Sequence, residues 1–491
     1  MNPLQLKKIS VPIVLSGGLL WSTAAFSQGL LTDVVDTLGS TLAAGFNMVA
    51  APFEAIGKKI FETALPVLKT PVAGAVKMLT DTAQVLPPVR TFADNNPVKD
   101  ANTRYPVIFV HSLTGSEKFV GELPYWFDMA REIRMHRTST PGDKSSTTAS
   151  SIPNPYFSNN TENKGIYEAN VSGFNTDEER GEQLLAQIKE VMIREGATRV
   201  NLIGHSQGGT TSRYVAAIRP DLVASITTIS TPHWGSDFAD FIVQQKTDYP
   251  KTAAQVMPLV DYGIGMLWMK LVGAKELPQD PAAAISLLTS AKAKEWNKRY
   301  PSAGLGDVKL CTTGKASADV DYVDARGVKQ VAMQRYYSII GESNKPPRTD
   351  NVFGLMKSGL GALSNQVFKG VPILNNFDFA LEDTSLGVLD AKAFLDPTTV
   401  ALELTGSIVA QRVMAARKAD IGSGGGAPDP KFAINDGMVS VCSAKFGKVV
   451  AQAPWNHFDE VNQMAGIVGM NAPDPRVMIL DQVRQLAKDN L

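Results

Sequence analysis

The feature that most restricts this chain is a five-residue string, Gly204-His205-Ser206-Gln207-Gly208, placed directly after the apolar run Val200–Ile203. A strand that turns at once into a helix leaves the residue at the turn in a strained backbone, and only very small side chains fit two positions before and two after it. Gly204 and Gly208 meet that demand around Ser206. The same turn aims the first amides of the new helix at the space beside the serine hydroxyl, where a developing negative charge would be stabilised. The flanking pattern agrees. Leu184, Leu185, Ile188, Val191 and Met192 recur on one helical face that ends at Gly196. Val200–Ile203 reads as a buried strand, Gly209 to Ile218 as a helix closed by Pro220, and Val223 to Ile229 as the next strand. With Val107–Val110 as an earlier strand, this alternation predicts an α/β fold built on a central, mostly parallel sheet flanked by helices.

A serine hydroxyl is a poor nucleophile without a base. The chain offers five histidines: His111, His136, His205, His233 and His457. Behind a strand–serine–helix turn, the acid and then the histidine follow the nucleophile along the chain. That order sets aside His111, His136 and His205. It leaves His233, just after the next strand, too early for an acid strand to intervene, so His233 is expected to pack or hydrogen-bond at the rim of the site. His457 is the expected base. The acid must lie between Ser206 and His457. Asn435-Asp436-Gly437, a turn before Met438-Val439, makes Asp436 the first choice, with Asp390, Asp396 and Asp420 as rivals. The oxyanion needs two backbone donors. One is the amide of Gln207, and the other is expected from the loop His111-Ser112-Leu113-Thr114-Gly115, at Leu113.

Composition narrows the setting. With 48 basic and 48 acidic side chains the formal charge is zero, which argues against nucleic acid as a partner. Lys7 and Lys8, the apolar run Ile9–Trp21 and the small residues of Ala25-Phe26-Ser27 read as a secretory signal over residues 1–27. The run falls short of the roughly 20 residues a bilayer requires. Residues 28 to about 92 carry apolar positions at three- and four-residue spacing, which predicts a helical N-terminal extension over 28–100. Residues 137–164, rich in Ser, Thr, Asn and Pro, read as a surface insertion, and roughly 340–395 and Gly422–Gly426 as further insertions or loops. Two cysteines, Cys311 and Cys442, can form at most one bridge, which export would permit.

Several blocks, taken in order, resemble the secreted bacterial triacylglycerol lipases of the Pseudomonas and Burkholderia type. They are Thr103 through Gly115, Arg180 through Leu185, Val200 through Gly209, Ser212 through Ala217, Tyr300 through Gly306, Asn435 through Ser440, and Asn456 through Gln463. The resemblance implies an α/β-hydrolase fold over residues 101–491 and a Ser206, Asp436, His457 triad. It also implies one structural calcium ion, held by Asp396, Asp459 and the carbonyls of Gln463 and Ile467, and a disulfide between Cys311 and Cys442. The alternative for Asp459 and Glu460 is a solvated surface pair. Residues 251–273, nearly continuous in apolar side chains, stand where such lipases carry a mobile helical lid. A dedicated folding chaperone is a further implied partner. Two departures stand out: Ser112 occupies the position of a family glycine, and the segments 28–100, 137–164 and 345–395 have no family counterpart.

The sequence therefore predicts a secreted serine ester hydrolase acting on triacylglycerol or other carboxylic esters at an interface, through an acyl-enzyme on Ser206. A polyester or polyhydroxyalkanoate depolymerase with the same triad is the nearest alternative. A catalytically silent protein that docks its N-terminal helices on a membrane surface is the alternative from another class.

Overall fold

The structure, a computed structural model, describes residues 98–113, 115, 118–119, 123–126, 129–138, 165–248, 277–342, 397–422, 425–462 and 472–491. The expected leader over 1–27, the lid over 251–273 and the insertion over 345–395 lie outside the described residues. So do the insertion over 137–164, apart from 137 and 138, and the extension over 28–100, apart from 98–100, which are not helical. The chain divides into two compact units. One comprises Met1–Ala93, Ile242–Leu271 and Pro346–Glu403, of which the described residues are helical. The other, comprising Asp94–Phe241, Val272–Lys345 and Leu404–Leu491, carries the sheet.

In chain order the elements begin with β1 (Val107–Val110), a short pair β2 (Lys118–Phe119) and β3 (Leu123–Pro124), and α1 (Met129–Met135). Then come β4 (Ile166–Ala169), α2 (Asp177–Glu195), β5 (Val200–His205), α3 (Gln207–Ile218), β6 (Val223–Ile229) and α4 (Asp237–Asp248). Helices α5 (Pro281–Leu287) and α6 (Ser290–Arg299) precede β7 (Ser317–Val323) and β8 (Lys329–Gly341). The chain closes with α7 (Pro397–Ile421), α8 (Val441–Ala444), β9 (Lys448–Ala453) and α9 (Pro475–Lys488).

Among the described residues the main sheet has seven strands, in the order β4-β1-β5-β6-β8-β7, with β9 also paired to β8. All its pairings are parallel except β7 with β8. β8 is long enough to bind β7 along its first half and β9 along its second, while β6 lies on its other edge. The non-consecutive order is what crossover helices produce, and it sets the carboxyl ends of β1, β5, β6, β8 and β9 side by side. Ligand sites of open parallel sheets form at that end.

Local chemistry explains the elements around the site. Thr176 caps α2 by accepting the Glu179 amide, three acidic residues follow in its first turn, and Gly196 closes it with φ 61°. Its apolar face, Leu184, Leu185, Ile188 and Val191, packs with Tyr214 and Val215 of α3 and with Ile108, Val110 and Leu202 of the sheet. Burying each large aliphatic side chain stabilises the fold by roughly 1.5–3 kcal/mol. On a separate cluster, Ala224 and Tyr337 pack with Leu486 and Leu491.

Strand β5 reaches His205 and α3 begins at Gln207, so the strand is longer and the helix earlier than the apolar pattern predicts. The ladder continues past Ile203 because Ser206 N donates to Ile229 O at 2.8 Å. Helix α7, where the sequence showed no element, lacks a one-sided apolar stripe, and periodicity cannot reveal such a helix. Cys311 and Cys442 form a disulfide with Cα atoms 4.6 Å apart, as the resemblance implied.

Candidate active site

Ser206 stands alone between β5 and α3 with φ 53° and ψ −123°, a region a residue with a side chain occupies only under constraint. The constraint is visible. Ser206 is tied into the sheet through its amide, and its carbonyl accepts the Gly209 amide at 3.0 Å. A Cβ on Gly204 would strike the Gly208 carbonyl, and one on Gly208 would strike the carbonyls of Val110 and His111. The two glycines let the helix begin against the sheet.

The expected acid and base come together. Asp436 Oδ2 and His457 Nδ1 are 2.7 Å apart, both groups are buried, and the His457 amide donates to the Asp436 carbonyl at 2.9 Å. The other carboxylate oxygen of Asp436 accepts the amides of Met438 and Val439 at 2.8 and 2.7 Å. Asp436 accepts on both carboxylate oxygens, which fixes His457 with its proton on Nδ1 and its lone pair on Nε2. The imidazole lies beside the elbow, its ring centre 4.6 Å from that of His205. The rival Asp420 is exposed and pairs with Lys309 at 3.0 Å. Asp390 and Asp396 lie outside the described residues.

His233, expected to pack or hydrogen-bond at the rim, is buried and stacks on Phe446 with ring centres 4.5 Å apart. Arg213 can only donate, so His233 Nδ1 accepts from it at 3.2 Å and Nε2–H donates to Thr228 Oγ1 at 3.2 Å. Burial, followed by the charge of Arg213, holds its pKa well below the ordinary histidine value. His136 bonds the carbonyl of Val98 at 3.0 Å.

Sequence reasoning missed the support around these groups. Glu460, which had a surface alternative together with Asp459, is fully buried, and Asp459 is buried too, so the solvated pair is incorrect. The cause is local: the carboxylate of Asp459 accepts the Asn456 amide at 3.2 Å and folds the loop inward. Burial first, and the neighbouring Asp436 charge second, raise the Glu460 pKa well above the carboxylate range. Its Oε1 receives Ser230 Oγ at 2.5 Å, and Ser230 in turn accepts the Gly341 amide. His205 Nε2 lies 3.4 Å from Glu460 Oε2, without hydrogen-bond alignment, while His205 Nδ1 meets the Tyr125 hydroxyl at 2.6 Å. The nearest sequence signal was the adjacency of Glu460 to His457; Tyr125 had none.

The loop that carries Leu113 is also held from several sides. The Ser112 amide donates to Tyr125 Oη at 3.2 Å, and buried Arg180 donates to the His111 carbonyl at 2.6 Å. The Ser112 hydroxyl, in place of the family glycine, donates to the Leu113 carbonyl at 2.8 Å. Gln207 opens α3, with its side chain donating to the Asn175 carbonyl at 2.8 Å.

Of the implied calcium ligands, Asp459 sits two residues after His457, while Asp396, Gln463 and Ile467 lie outside the described residues. Carboxylate and carbonyl oxygens are the hard donors Ca²⁺ takes. Among the described residues, His205, His457 and Glu460 have candidate metal-binding atoms within 4.8 Å of one another. Their bonds to Tyr125, Asp436 and Ser230 already account for that geometry. No helix of the described residues is long and apolar enough to cross a membrane.

Comparisons with known proteins identify the family. The alpha/beta hydrolase fold family matches residues 105–325. A triacylglycerol lipase of Pseudarthrobacter phenanthrenivorans is 38% identical over 391 residues, covering 79% of this chain and 97% of that protein. A triacylglycerol lipase of Burkholderia plantarii is 38% identical over 391 residues, covering 79% of this chain and 87% of its own length. Among solved structures, EstA from Clostridium botulinum aligns with a TM-score of 0.40 at 15% identity, over 84% of this chain and 94% of its own.

Proposed function

We propose, for a chain that belongs to the triacylglycerol lipases of the alpha/beta hydrolase fold and is a carboxylic ester hydrolase, that it cleaves its ester through an acyl-enzyme on Ser206. The observation that carries this reading is the 2.7 Å bond between Asp436 and a His457 ring seated beside the elbow. His457 Nε2 takes the Ser206 proton as Oγ bonds to the carbonyl carbon. Asp436 keeps the other ring proton on Nδ1 and offsets the positive charge the imidazole gains. The carbonyl oxygen becomes an anion facing the Leu113 and Gln207 amides. The ester C–O bond then breaks, and His457 returns its proton to the departing alcohol. Water deprotonated by the same imidazole frees the acid and restores Ser206.

Triacylglycerol is the proposed substrate, because the relatives that align over nearly their whole length carry that activity in their names. Export is proposed from the leader pattern over 1–27 and fits a chain whose two cysteines are paired. Calcium is proposed at Asp396, Asp459 and the Gln463 and Ile467 carbonyls, where it would supply a fixed positive charge on the loop that carries His457.

Ser206→Ala is expected to bring hydrolysis of p-nitrophenyl esters to background and to abolish labelling by a fluorophosphonate, with the thermal midpoint unchanged. Retained turnover would remove Ser206 as nucleophile. Triolein emulsion and polyester film, assayed side by side, separate the substrate classes: cleavage of the film alone would replace triacylglycerol.

A further inference from the structure

His111 is fully buried, was set aside as a base by its place in the chain, and has no part in the proton transfers above. Its ring nevertheless makes two specific bonds. The Val171 amide donates to Nε2 at 3.2 Å, so Nε2 holds a lone pair and the proton sits on Nδ1. Nδ1–H therefore donates to the Ser112 carbonyl at 2.9 Å. Burial, then the nearby charge of Arg180, lowers the His111 pKa to about 3, so the ring stays neutral with that single tautomer.

The Ser112 carbonyl belongs to the same peptide unit as the Leu113 amide. A trans peptide is planar, and its N–H points opposite its C=O. Whatever holds the Ser112 oxygen consequently aims the Leu113 hydrogen. The Gly115 amide also donates to that oxygen, at 3.1 Å, so both lone pairs are occupied. Gly115 is in turn packed on the imidazole: a Cβ there would lie 2.5 Å from His111 Nδ1 and 2.8 Å from Cγ.

We propose that His111 is a positioning residue for the reaction, a neutral imidazole clamped by the Val171 amide that grips the Ser112 carbonyl and thereby directs the Leu113 N–H at the oxyanion. The inference rests on the reading of Leu113 and Gln207 as oxyanion donors. A misdirected donor should weaken stabilisation of the tetrahedral anion while leaving ester binding alone, because the charge develops only in the transition state. Loss of one such donor typically costs about 10²–10³ in turnover, and misaiming one should cost roughly 10- to 100-fold.

The test uses the full chain with His111→Phe, which keeps a ring but no donor, and His111→Asn, whose amide can place a donor near Nδ1. The expected result is a roughly 10- to 100-fold lower kcat for His111→Phe with KM within about twofold, and recovery of most of that loss in His111→Asn. Affinity for a trifluoromethyl ketone, which forms a tetrahedral oxyanion on the serine, should fall in step with kcat/KM. A kcat for His111→Phe within twofold of the parent, or no recovery in His111→Asn, overturns the proposal. If His111→Phe does not fold, Gly115→Ala displaces the ring while leaving its chemistry intact, and an unchanged kcat there overturns it equally. A parent enzyme that is not labelled by fluorophosphonate would instead refute the serine-hydrolase reading itself.

Discussion

The elbow at Ser206 and the loop at His457 meet where the His205 and His457 rings pack 4.6 Å apart, yet they are built in opposite ways. The elbow is local: five consecutive residues, two of them glycines pressed against carbonyls, hold one serine at φ 53°. The histidine loop is assembled from afar. Asp436 lies 21 residues before His457, Glu460 is tied to Ser230 across 230 residues, and Cys442 binds Cys311 across 131. A local device fails when its own residues change. A distributed one can be loosened from several places, each at a smaller cost.

Gly208→Ala should have the largest effect of any single change at the elbow. The added Cβ would press on the carbonyls of Val110 and His111, which are backbone atoms held in the sheet edge and the oxyanion loop. The expected outcome is loss of soluble, folded protein, or a kcat loss of more than about 10³-fold if it folds. Circular dichroism and ester turnover measure both. Near-parental activity would show that the elbow tolerates far more than its packing suggests.

Removing calcium tests the distributed side. An ion bound to the native state alone stabilises it by about 2.7 kcal/mol at a hundred times its dissociation constant. Chelation with EGTA is therefore expected to lower the thermal midpoint by several degrees and to slow turnover, with both restored by Ca²⁺ and neither by Mg²⁺, which demands a tighter octahedral site. An unchanged midpoint after exhaustive chelation would refute the proposed calcium.

The same contrast explains what could be read from the amino-acid order. The elbow was legible because its steric rule is written in adjacent residues, and the strands beside it because they are short, fully buried apolar runs. His457 was legible by elimination, since the chain has only five histidines. Asp436 emerged as a turn with rivals, and its hold on His457 is a contact between distant segments that no local pattern encodes. Glu460 was misleading for a physical reason. Asp-Glu in a turn ordinarily faces water, and here Asn456 and Ser230 supply partners for the two buried side chains. Helix α7 left no trace because both its faces are mixed.

Asp177 brings a long-range partner to the local device. It stands at the start of α2, almost fully buried, and accepts the hydroxyl of Thr211 from α3 at 3.1 Å. Burial is the main cause that raises its pKa from 3.8 to about 6. The folded state then holds a proton that the unfolded chain has released between those two values. Stability from this group is therefore greatest below pH 4 and is lost as pH rises through about 6. Asp177→Asn removes the titration while keeping an acceptor for Thr211. Relative to the parent, the variant should gain about 1 kcal/mol between pH 5 and pH 7, read as a rising difference in urea midpoint at constant m-value. A difference that stays flat, or falls, across that interval would mean that Asp177 is ionised in the fold and that Arg180, whose charge lowers its pKa, outweighs burial. The helix of the elbow would then be anchored by an ion pair rather than by a buried neutral acid.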